Sequence, residues 1–126
     1  MSDSAKKRIL IVDDAQFVRN RLKKIIDKMD FAEVAGEAAN GDDGVLKYKE
    51  LNPDLVTMDL VMPNSDGIKA IEEIIKFDKN ATIIVISAIG QDMSVAEATE
   101  KGAKEYIKKP FKEEDIFKAF ERFLKA

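Results

Sequence analysis

Short apolar runs alternate with amphipathic segments along the whole chain. The runs 9–12, 55–58 and 83–86 are continuous and rich in branched residues, which is typical of strands buried on both faces. Two weaker runs, at 34–38 and 106–107, fit strands nearer the edges of a sheet. The pattern therefore predicts five strands.

Helical periodicity follows each predicted strand. Apolar residues recur every three or four positions in the segments 18–29, 68–75 and 116–124, with charged residues on the other faces. Residues 41–51 predict a shorter helix, and residues 91–101 predict the weakest one. Because crossovers between parallel strands are right-handed, five strand–helix units predict a three-layer, doubly wound α/β fold with a five-stranded parallel sheet.

The composition narrows the chemistry. The 126 residues are 45% hydrophobic, which fits one domain over residues 1–126 with a polar tail at 1–7. The chain has no cysteine and no histidine, which excludes disulfides, zinc sites built on those residues and imidazole catalysis. A net charge of −3 argues against a nucleic-acid partner. No secretory or membrane-spanning segment is visible, so we expect a cytoplasmic protein without membrane contact.

Polar residues follow four of the predicted strands: Asp13-Asp14, Asp59, Ser87 and Lys109. Sites in an open parallel sheet form beyond the carboxyl ends of the strands. Three carboxylates gathered there would repel one another, and a hard divalent cation removes that cost. Ligation by oxygen alone favours Mg²⁺ over zinc. Beside such a cation and Lys109, Asp59 is suited to accept a phosphoryl group.

Each of these residues also has an ordinary structural explanation. Asp13 and Asp14 could cap the first helix, and Asp59 could be a solvated turn residue. Ser87 could cap or turn the chain, and Lys109 could be a surface lysine. The combination favours a site, because one polar residue or pair follows each of four strands.

The motifs occur in a characteristic order: Asp13-Asp14 after the run 9–12, Asp59 within 58–63, Asp66-Gly67, Ser87-Ala88 and Lys109-Pro110-Phe111. Over nearly the whole chain they resemble the receiver domain of bacterial and archaeal response regulators. The resemblance implies the flavodoxin-like strand order 2-1-3-4-5. It also implies that a histidine kinase phosphorylates Asp59 with the help of Mg²⁺.

The resemblance further implies how Mg²⁺ is held. Asp14 and Asp59 would ligate the ion directly, Asp13 would reach it through water, and Val61 would contribute its backbone carbonyl. Lys109 would hold a phosphoryl oxygen, next to a cis Lys109-Pro110 bond.

Two further residues would report the event. Ser87 would reach toward the phosphoryl group, and Tyr106 would be the aromatic switch that turns inward when that hydroxyl moves. Gly67 would allow a tight turn at the start of the third helix. Ser65 stands where the family has an apolar residue, and we expect no effect on the chemistry.

The segment 87–91 and Tyr106 resemble the chemotaxis type of single-domain regulator, and no output domain follows the fifth helix. We therefore expect a monomer that is not an enzyme beyond promoting its own phosphorylation and dephosphorylation. A downstream effector protein would bind the face formed by the fourth helix, the fifth strand and the fifth helix.

Three alternatives are open at this point. A phosphorelay intermediate would pass its phosphoryl group to a histidine phosphotransfer protein. A Mg²⁺-dependent aspartyl-phosphate phosphohydrolase resembles Asp-x-Asp after the first strand, a spacing that Asp13-Asp14-Ala15 lacks. A nucleotide or flavin binder needs a glycine-rich loop at that place, where this chain has two aspartates.

Overall fold

The computed structural model of the chain describes residues 5–62, 65–88 and 92–125. The elements in chain order are β1 (Lys7–Val12), α1 (Gln16–Asp27), β2 (Ala32–Ala38), α2 (Gly41–Leu51), β3 (Leu55–Met58), β4 (Val61–Met62), β5 (Ser65–Asp66), α3 (Gly67–Phe77), β6 (Ile83–Ser87), α4 (Asp92–Lys101), β7 (Glu105–Lys108) and α5 (Glu113–Leu124). The predicted fourth and fifth strands are thus β6 and β7.

Five strands form one parallel sheet in the order β2-β1-β3-β6-β7. This is the predicted doubly wound order 2-1-3-4-5, and the fold prediction is confirmed. The sequence pattern did not predict β4 and β5, which pair as a short antiparallel hairpin after β3. Two-residue strands are too short to leave a period in the sequence, so only the fold shows them.

The sheet separates two apolar cores, because successive side chains of a strand point to opposite faces. The first core joins Ile9 and Ile11 to the apolar faces of α1 and α5. The second core joins Leu10 and Val12 to α2, α3 and α4. β1, β3 and β6 are buried on both faces, as their continuous apolar runs predict.

The helices differ in how firmly they are held. α3 and α5 each bury several apolar side chains, whereas α4 is the shortest of the five helices, with 10 residues. Among the α4 side chains that the structure describes, only that of Ala98 is buried. The prediction that this helix is the weakest agrees with its packing. Its predicted first residue, Gln91, lies outside the described residues.

The register of the strands aligns their carboxyl ends. Val12 pairs with Met58, and the Asp59 amide donates to the Val12 carbonyl at 3.0 Å. At the ends of β6 and β7, the Lys109 amide donates to the Ser87 carbonyl at 2.9 Å. The polar residues that follow the strands therefore meet at one edge. None of the described helices combines the length and apolar character that a membrane span requires.

Candidate functional site

Three carboxylates lie together beyond the ends of β1 and β3. One oxygen from each of Asp13, Asp14 and Asp59 falls within 4.8 Å of the others. Asp13 and Asp59 are only 2% and 5% exposed, whereas Asp14 faces solvent. The structure thus brings together the aspartates that the sequence placed after separate strands.

Lys109 reaches into this cluster from the loop after β7. Its Nζ lies 2.7 Å from Asp13 Oδ2 and 3.3 Å from Asp59 Oδ2, and the side chain is only 19% exposed. The pairing of β7 with β6 places it there, because the Lys109 amide donates to the Ser87 carbonyl at the end of β6. The Lys109-Pro110 bond is cis, as predicted.

The environment changes the ionisation of the paired groups. Burial raises the pKa of Asp13, and the charge of Asp59 raises it further, against the hydrogen bonds from Lys109 and the Ala15 amide. Burial alone would lower the pKa of Lys109, but the Asp13 hydrogen bond and the Asp59 charge outweigh it and raise the pKa above its usual value. Lys109 therefore stays protonated at neutral pH.

The donor set fits a magnesium ion. Mg²⁺ takes oxygen ligands and keeps several waters, so it suits carboxylates at a surface that is open on one side. Here one ammonium faces three carboxylates, which leaves an excess of negative charge for a divalent cation to balance. The Asp13 oxygens already accept from Ala15 and Lys109, whereas the exposed Asp14 is open to an incoming ligand.

The segment after β3 shapes the other side of the cluster. The Val61 amide donates to Asp59 Oδ1 at 3.2 Å, while the Val61 side chain is 55% exposed. Asp66 caps α3 by accepting from the Ile68 amide at 2.9 Å. The Val61 amide is therefore tied to Asp59, and Asp66 is tied to the start of α3.

Gly67 is required for a reason other than the predicted tight turn. A Cβ on Gly67 would lie 2.3 Å from the Asp59 carbonyl oxygen and 2.7 Å from the Leu60 Cα. Both are backbone atoms, which cannot move aside cheaply. The start of α3 thus packs directly against the backbone that carries Asp59, and only glycine permits this approach.

Ser65 has a structural role that the sequence did not indicate. Its Oγ accepts a hydrogen bond of 2.6 Å from the amide of Gly41, the first residue of α2. That amide has no partner within its own helix, because the first turn of a helix lacks them. Ser65 therefore ties the β4–β5 hairpin to α2. Its departure from the family's apolar residue was the one signal in the sequence.

The two predicted reporter residues lie on β6 and β7. Ser87 is fully buried at the carboxyl end of β6. The Tyr106 ring packs against the second core, and its hydroxyl is buried without a hydrogen-bond partner among the described residues. Burial raises the pKa of Tyr106, and the nearby charge of Asp59 adds to the effect.

The sequence does not predict the contacts of Arg19. Arg19, on the first turns of α1, donates through Nη1 to the Asp13 carbonyl at 2.6 Å and through Nε to Glu37 Oε1 at 2.7 Å. In the sequence, Arg19 belongs to the charged face of an amphipathic helix and looks like an ordinary surface residue. Its partner Glu37 lies 18 positions away, so no local pattern connects them.

The fold and the site together define a receiver domain. The family model for the response regulator receiver domain matches residues 9–121. The chain therefore belongs to the response-regulator receiver family, and the resemblance drawn from its motifs is confirmed.

Particular relatives narrow the class. The chain is 56% identical to the chemotaxis protein CheY of Thermotoga maritima over 119 residues, which cover 94% of this chain and 98% of that protein. It is 50% identical to CheY of Bacillus subtilis over 117 residues, which cover 93% and 97%. A crystal structure of a CheX–CheY–BeF₃–Mg²⁺ complex from Borrelia burgdorferi matches with a TM-score of 0.89 and 36% identity, over 97% of this chain and 92% of that one. The chain is a chemotaxis-type receiver domain of a two-component system.

Proposed function

We propose that Asp59 accepts a phosphoryl group from a histidine kinase in a Mg²⁺-dependent reaction, and that the chain is a signalling switch rather than a turnover enzyme. One observation carries the proposal. The nearly buried Asp59 carboxylate lies 3.3 Å from the Lys109 ammonium and shares a cluster with Asp13 and Asp14. Such a site can accept negative charge on a carboxylate that already has cationic neighbours.

Each group of the site has a role in the proposed transfer. An Asp59 oxygen forms a bond to phosphorus while the bond from phosphorus to the donor's imidazole nitrogen breaks, and the imidazole leaves with the electron pair. Lys109, which stays protonated, can turn from the carboxylates toward an oxygen of the transferred group. The Val61 amide holds Asp59 Oδ1 in place, which orients the reacting carboxylate.

Asp13, Asp14, Asp59 and the Val61 carbonyl would hold the metal. When bound, Mg²⁺ balances the carboxylates and the oxygens of the phosphoryl group. The Borrelia CheY structure, which contains BeF₃ and Mg²⁺, supports this ligand class for the chain.

Output would pass through Ser87 and Tyr106. A phosphoryl group on Asp59 draws the Ser87 hydroxyl toward it, and the Tyr106 ring responds in the space that this leaves. Next to Tyr106, a groove of about 370 Å³ runs between β7 and α5; charged residues line much of it, namely Glu105, Lys108, Asp115, Lys118 and Arg122. A downstream effector protein would bind this face, formed by α4, β7 and α5.

The setting of the switch is part of the proposal. The likeness to chemotaxis proteins favours an effector over a histidine phosphotransfer protein as the next partner. It also supports the predicted cytoplasmic location. We propose a monomer that needs only its kinase and its effector.

Labelling by acetyl phosphate tests the proposal. Intact-mass spectrometry should detect one added phosphoryl group on the wild-type chain when Mg²⁺ is present and none when it is chelated. Asp59→Asn should abolish the label, whereas Asp30→Asn, at an exposed aspartate away from the site, should leave it unchanged. Labelling that persists in Asp59→Asn, at any other residue, would contradict the assignment. Sustained release of phosphate from a phosphate ester would instead favour the phosphohydrolase.

A further inference from the structure

Arg19 joins three parts of the fold at one nearly buried guanidinium. Its side chain is only 11% exposed. It donates to the Asp13 carbonyl at 2.6 Å, to Glu37 Oε1 at 2.7 Å and to Gln16 Oε1 at 2.8 Å. The end of β1, the end of β2 and the first turn of α1 are therefore fixed to one another through this one side chain.

The contact with Asp13 bears on the next residue, Asp14. The carbonyl that Arg19 holds belongs to the peptide bond between Asp13 and Asp14, so fixing it fixes the plane from which Asp14 extends. The Asp14 carboxylate is exposed and makes no hydrogen bond with any described residue. Its direction thus depends on its backbone, and Arg19 is the side chain that restrains that backbone.

A second bond holds the same segment. The Asp13 amide donates to the Ala38 carbonyl at 3.0 Å, at the end of β2. Glu37, the residue before Ala38, is the carboxylate that binds Arg19. The end of β2 therefore reaches the Asp13 backbone twice, once directly and once through Arg19.

Glu37 also solves an electrostatic problem. A bare guanidinium this close to the acidic cluster would repel a divalent cation. The Glu37 carboxylate lies against Arg19 and also accepts from Lys23 at 2.7 Å. The hydrogen bond from Lys23, followed by that from Arg19, lowers the pKa of Glu37 against the effect of burial, so the balancing charge is present at neutral pH.

From these contacts we infer that Arg19 is a positioning residue for the metal site: its planar fork holds the Asp13 carbonyl and so aims Asp14 at Mg²⁺, while Glu37 balances its charge. The inference rests on the proposed function, since it assumes that Asp14 ligates Mg²⁺. A lysine could not do the same work, because a single ammonium lacks the rigid fork that reaches Asp13 and Glu37 together.

The decisive variant is Arg19→Lys, which keeps the charge and removes the fork. Titration calorimetry with Mg²⁺ alone, on the unphosphorylated protein, should show an affinity about tenfold weaker than wild type, the usual effect of losing a residue that orients a metal ligand. Labelling of Asp59 by acetyl phosphate should slow at limiting Mg²⁺. At saturating Mg²⁺ it should return close to the wild-type rate, because the nucleophile and Lys109 are untouched.

Lys23→Met is the matched control. Lys23 makes a bond of the same length to Glu37 but does not touch Asp13. This variant should bind Mg²⁺ with unchanged or slightly higher affinity. Equal weakening in Lys23→Met and Arg19→Lys would overturn the inference, because the effect would then belong to Glu37 and not to the fork.

A third variant keeps the test decisive if Arg19→Lys folds poorly. Glu37→Gln leaves the bond from Arg19 to Asp13 and removes only the balancing charge. Its Mg²⁺ affinity should be severalfold below that of wild type at low salt, and this difference should shrink as salt screens the guanidinium. An unchanged affinity at low salt would overturn the electrostatic part.

The wild-type measurement distinguishes this inference from the proposed function. Wild-type protein that binds Mg²⁺ and labels at Asp59, beside an Arg19→Lys variant of equal affinity, would overturn this inference and leave the proposed function standing. Wild-type protein that neither binds Mg²⁺ nor labels would overturn both.

Discussion

The two halves of the site are held very differently. In the proposed acceptor half, the Lys109 ammonium lies 2.7 Å from Asp13 and 3.3 Å from Asp59, and Arg19 holds the Asp13 carbonyl. In the proposed reporter half, the buried Tyr106 hydroxyl has no partner among the described residues, and of the described α4 side chains only that of Ala98 is buried. The acceptor region is thus fixed by several polar contacts, whereas the Tyr106 hydroxyl has none among the described residues.

The difference matches two physical requirements. A group that receives charge must already be in place, because reorganisation during the reaction adds to its barrier. A group that reports the charge needs two arrangements of similar free energy, because a ligand can shift only an equilibrium that lies within its reach. A tightly packed reporter would not respond, and a loose acceptor would not react.

The largest expected effect comes from disturbing the acceptor half at Gly67. Gly67→Ala places a Cβ against the backbone of Asp59 and Leu60, so it should lower the free energy of unfolding by about 3 kcal/mol, the upper part of the range for overpacking. Urea denaturation measures this loss. At the control position Gly44, the three atoms nearest to an added Cβ belong to the Val12 side chain, the closest at 2.9 Å, and not to the backbone. Gly44→Ala also gains helix propensity, so its loss should be clearly smaller, at about 1 kcal/mol. Equal losses in both variants would show that the Asp59 backbone is less fixed than described.

The second effect comes from removing the central cation. Without Mg²⁺, Lys109→Met should lower the free energy of unfolding by about 2 kcal/mol, because two nearly buried carboxylates lose their partner at a site open on one side. Mg²⁺ should restore part of the loss, so the metal should stabilise the variant more than wild type.

The control for that experiment is Lys76→Met. Lys76 forms an exposed pair with Glu73 at 3.7 Å, and such pairs contribute at most about 0.5 kcal/mol. A Lys109→Met protein as stable as wild type in chelator would mean that the acidic cluster does not depend on Lys109 for its stability.

A smaller effect on the free energy of unfolding should come from Glu37, which binds Arg19, and this effect should depend on pH. Arg19 and Lys23 of α1, with Lys47 and Asp43 of α2 nearby, surround Glu37. Because the folded state lowers the pKa of Glu37, its stabilisation is complete above its ordinary pKa and disappears as the pH falls through the lowered value.

Glu37→Gln should therefore cost about 1 kcal/mol at pH 7 and progressively less in acid. Unfolding midpoints of wild type and variant, measured from pH 7 downward, should approach each other once the pH falls below the ordinary Glu pKa of about 4.3. A constant difference across that range would show that the loss comes from shape and not from charge.

The smallest effects should come from two buried hydroxyls. Thr57, beneath the acceptor half, and Tyr106 both bury a hydroxyl that has no partner among the described residues. Thr57→Val should raise the free energy of unfolding by up to about 1 kcal/mol, because it removes an unsatisfied polar atom without changing shape. Tyr106→Phe should change it by less than about 0.5 kcal/mol, since the half-buried ring keeps its packing. A large loss in Tyr106→Phe would mean that the hydroxyl has a partner and that the reporter half is not loose.

The sequence predicts the fold well because strands that are buried on both faces consist of continuous apolar residues. Continuous apolar runs such as 9–12 and 83–86 can hardly be anything but central parallel strands, and strand ends then bring Asp13 and Asp59 together. Periodicity reaches this far because each strand and helix imposes its own repeat.

The remaining contacts depend on tertiary structure alone. The sequence predicts that Arg19 is a solvated helix residue, and only the packing of β2 against α1 shows that it binds Glu37. From the sequence, replacement of the family's apolar residue by Ser65 was expected to have no effect. In the structure its Oγ accepts a hydrogen bond from the Gly41 amide, 24 positions away. Gly67 was predicted to allow a tight turn, and the structure adds a second requirement, because the close approach of two backbones leaves no trace in the sequence.

The division of the interior by the sheet has one more consequence. By strand alternation, Asp13 follows Ile9 and Ile11, whose side chains belong to the first core, whereas the Tyr106 ring packs into the second. Under the proposed function, a change at the acidic residues is therefore transmitted across the sheet before it reaches the Tyr106 ring. The central strands separate the first core, on the side of Asp13, from the second core, which holds the Tyr106 ring. Substitutions in the second core can therefore change the response of Tyr106 without changing the acidic residues.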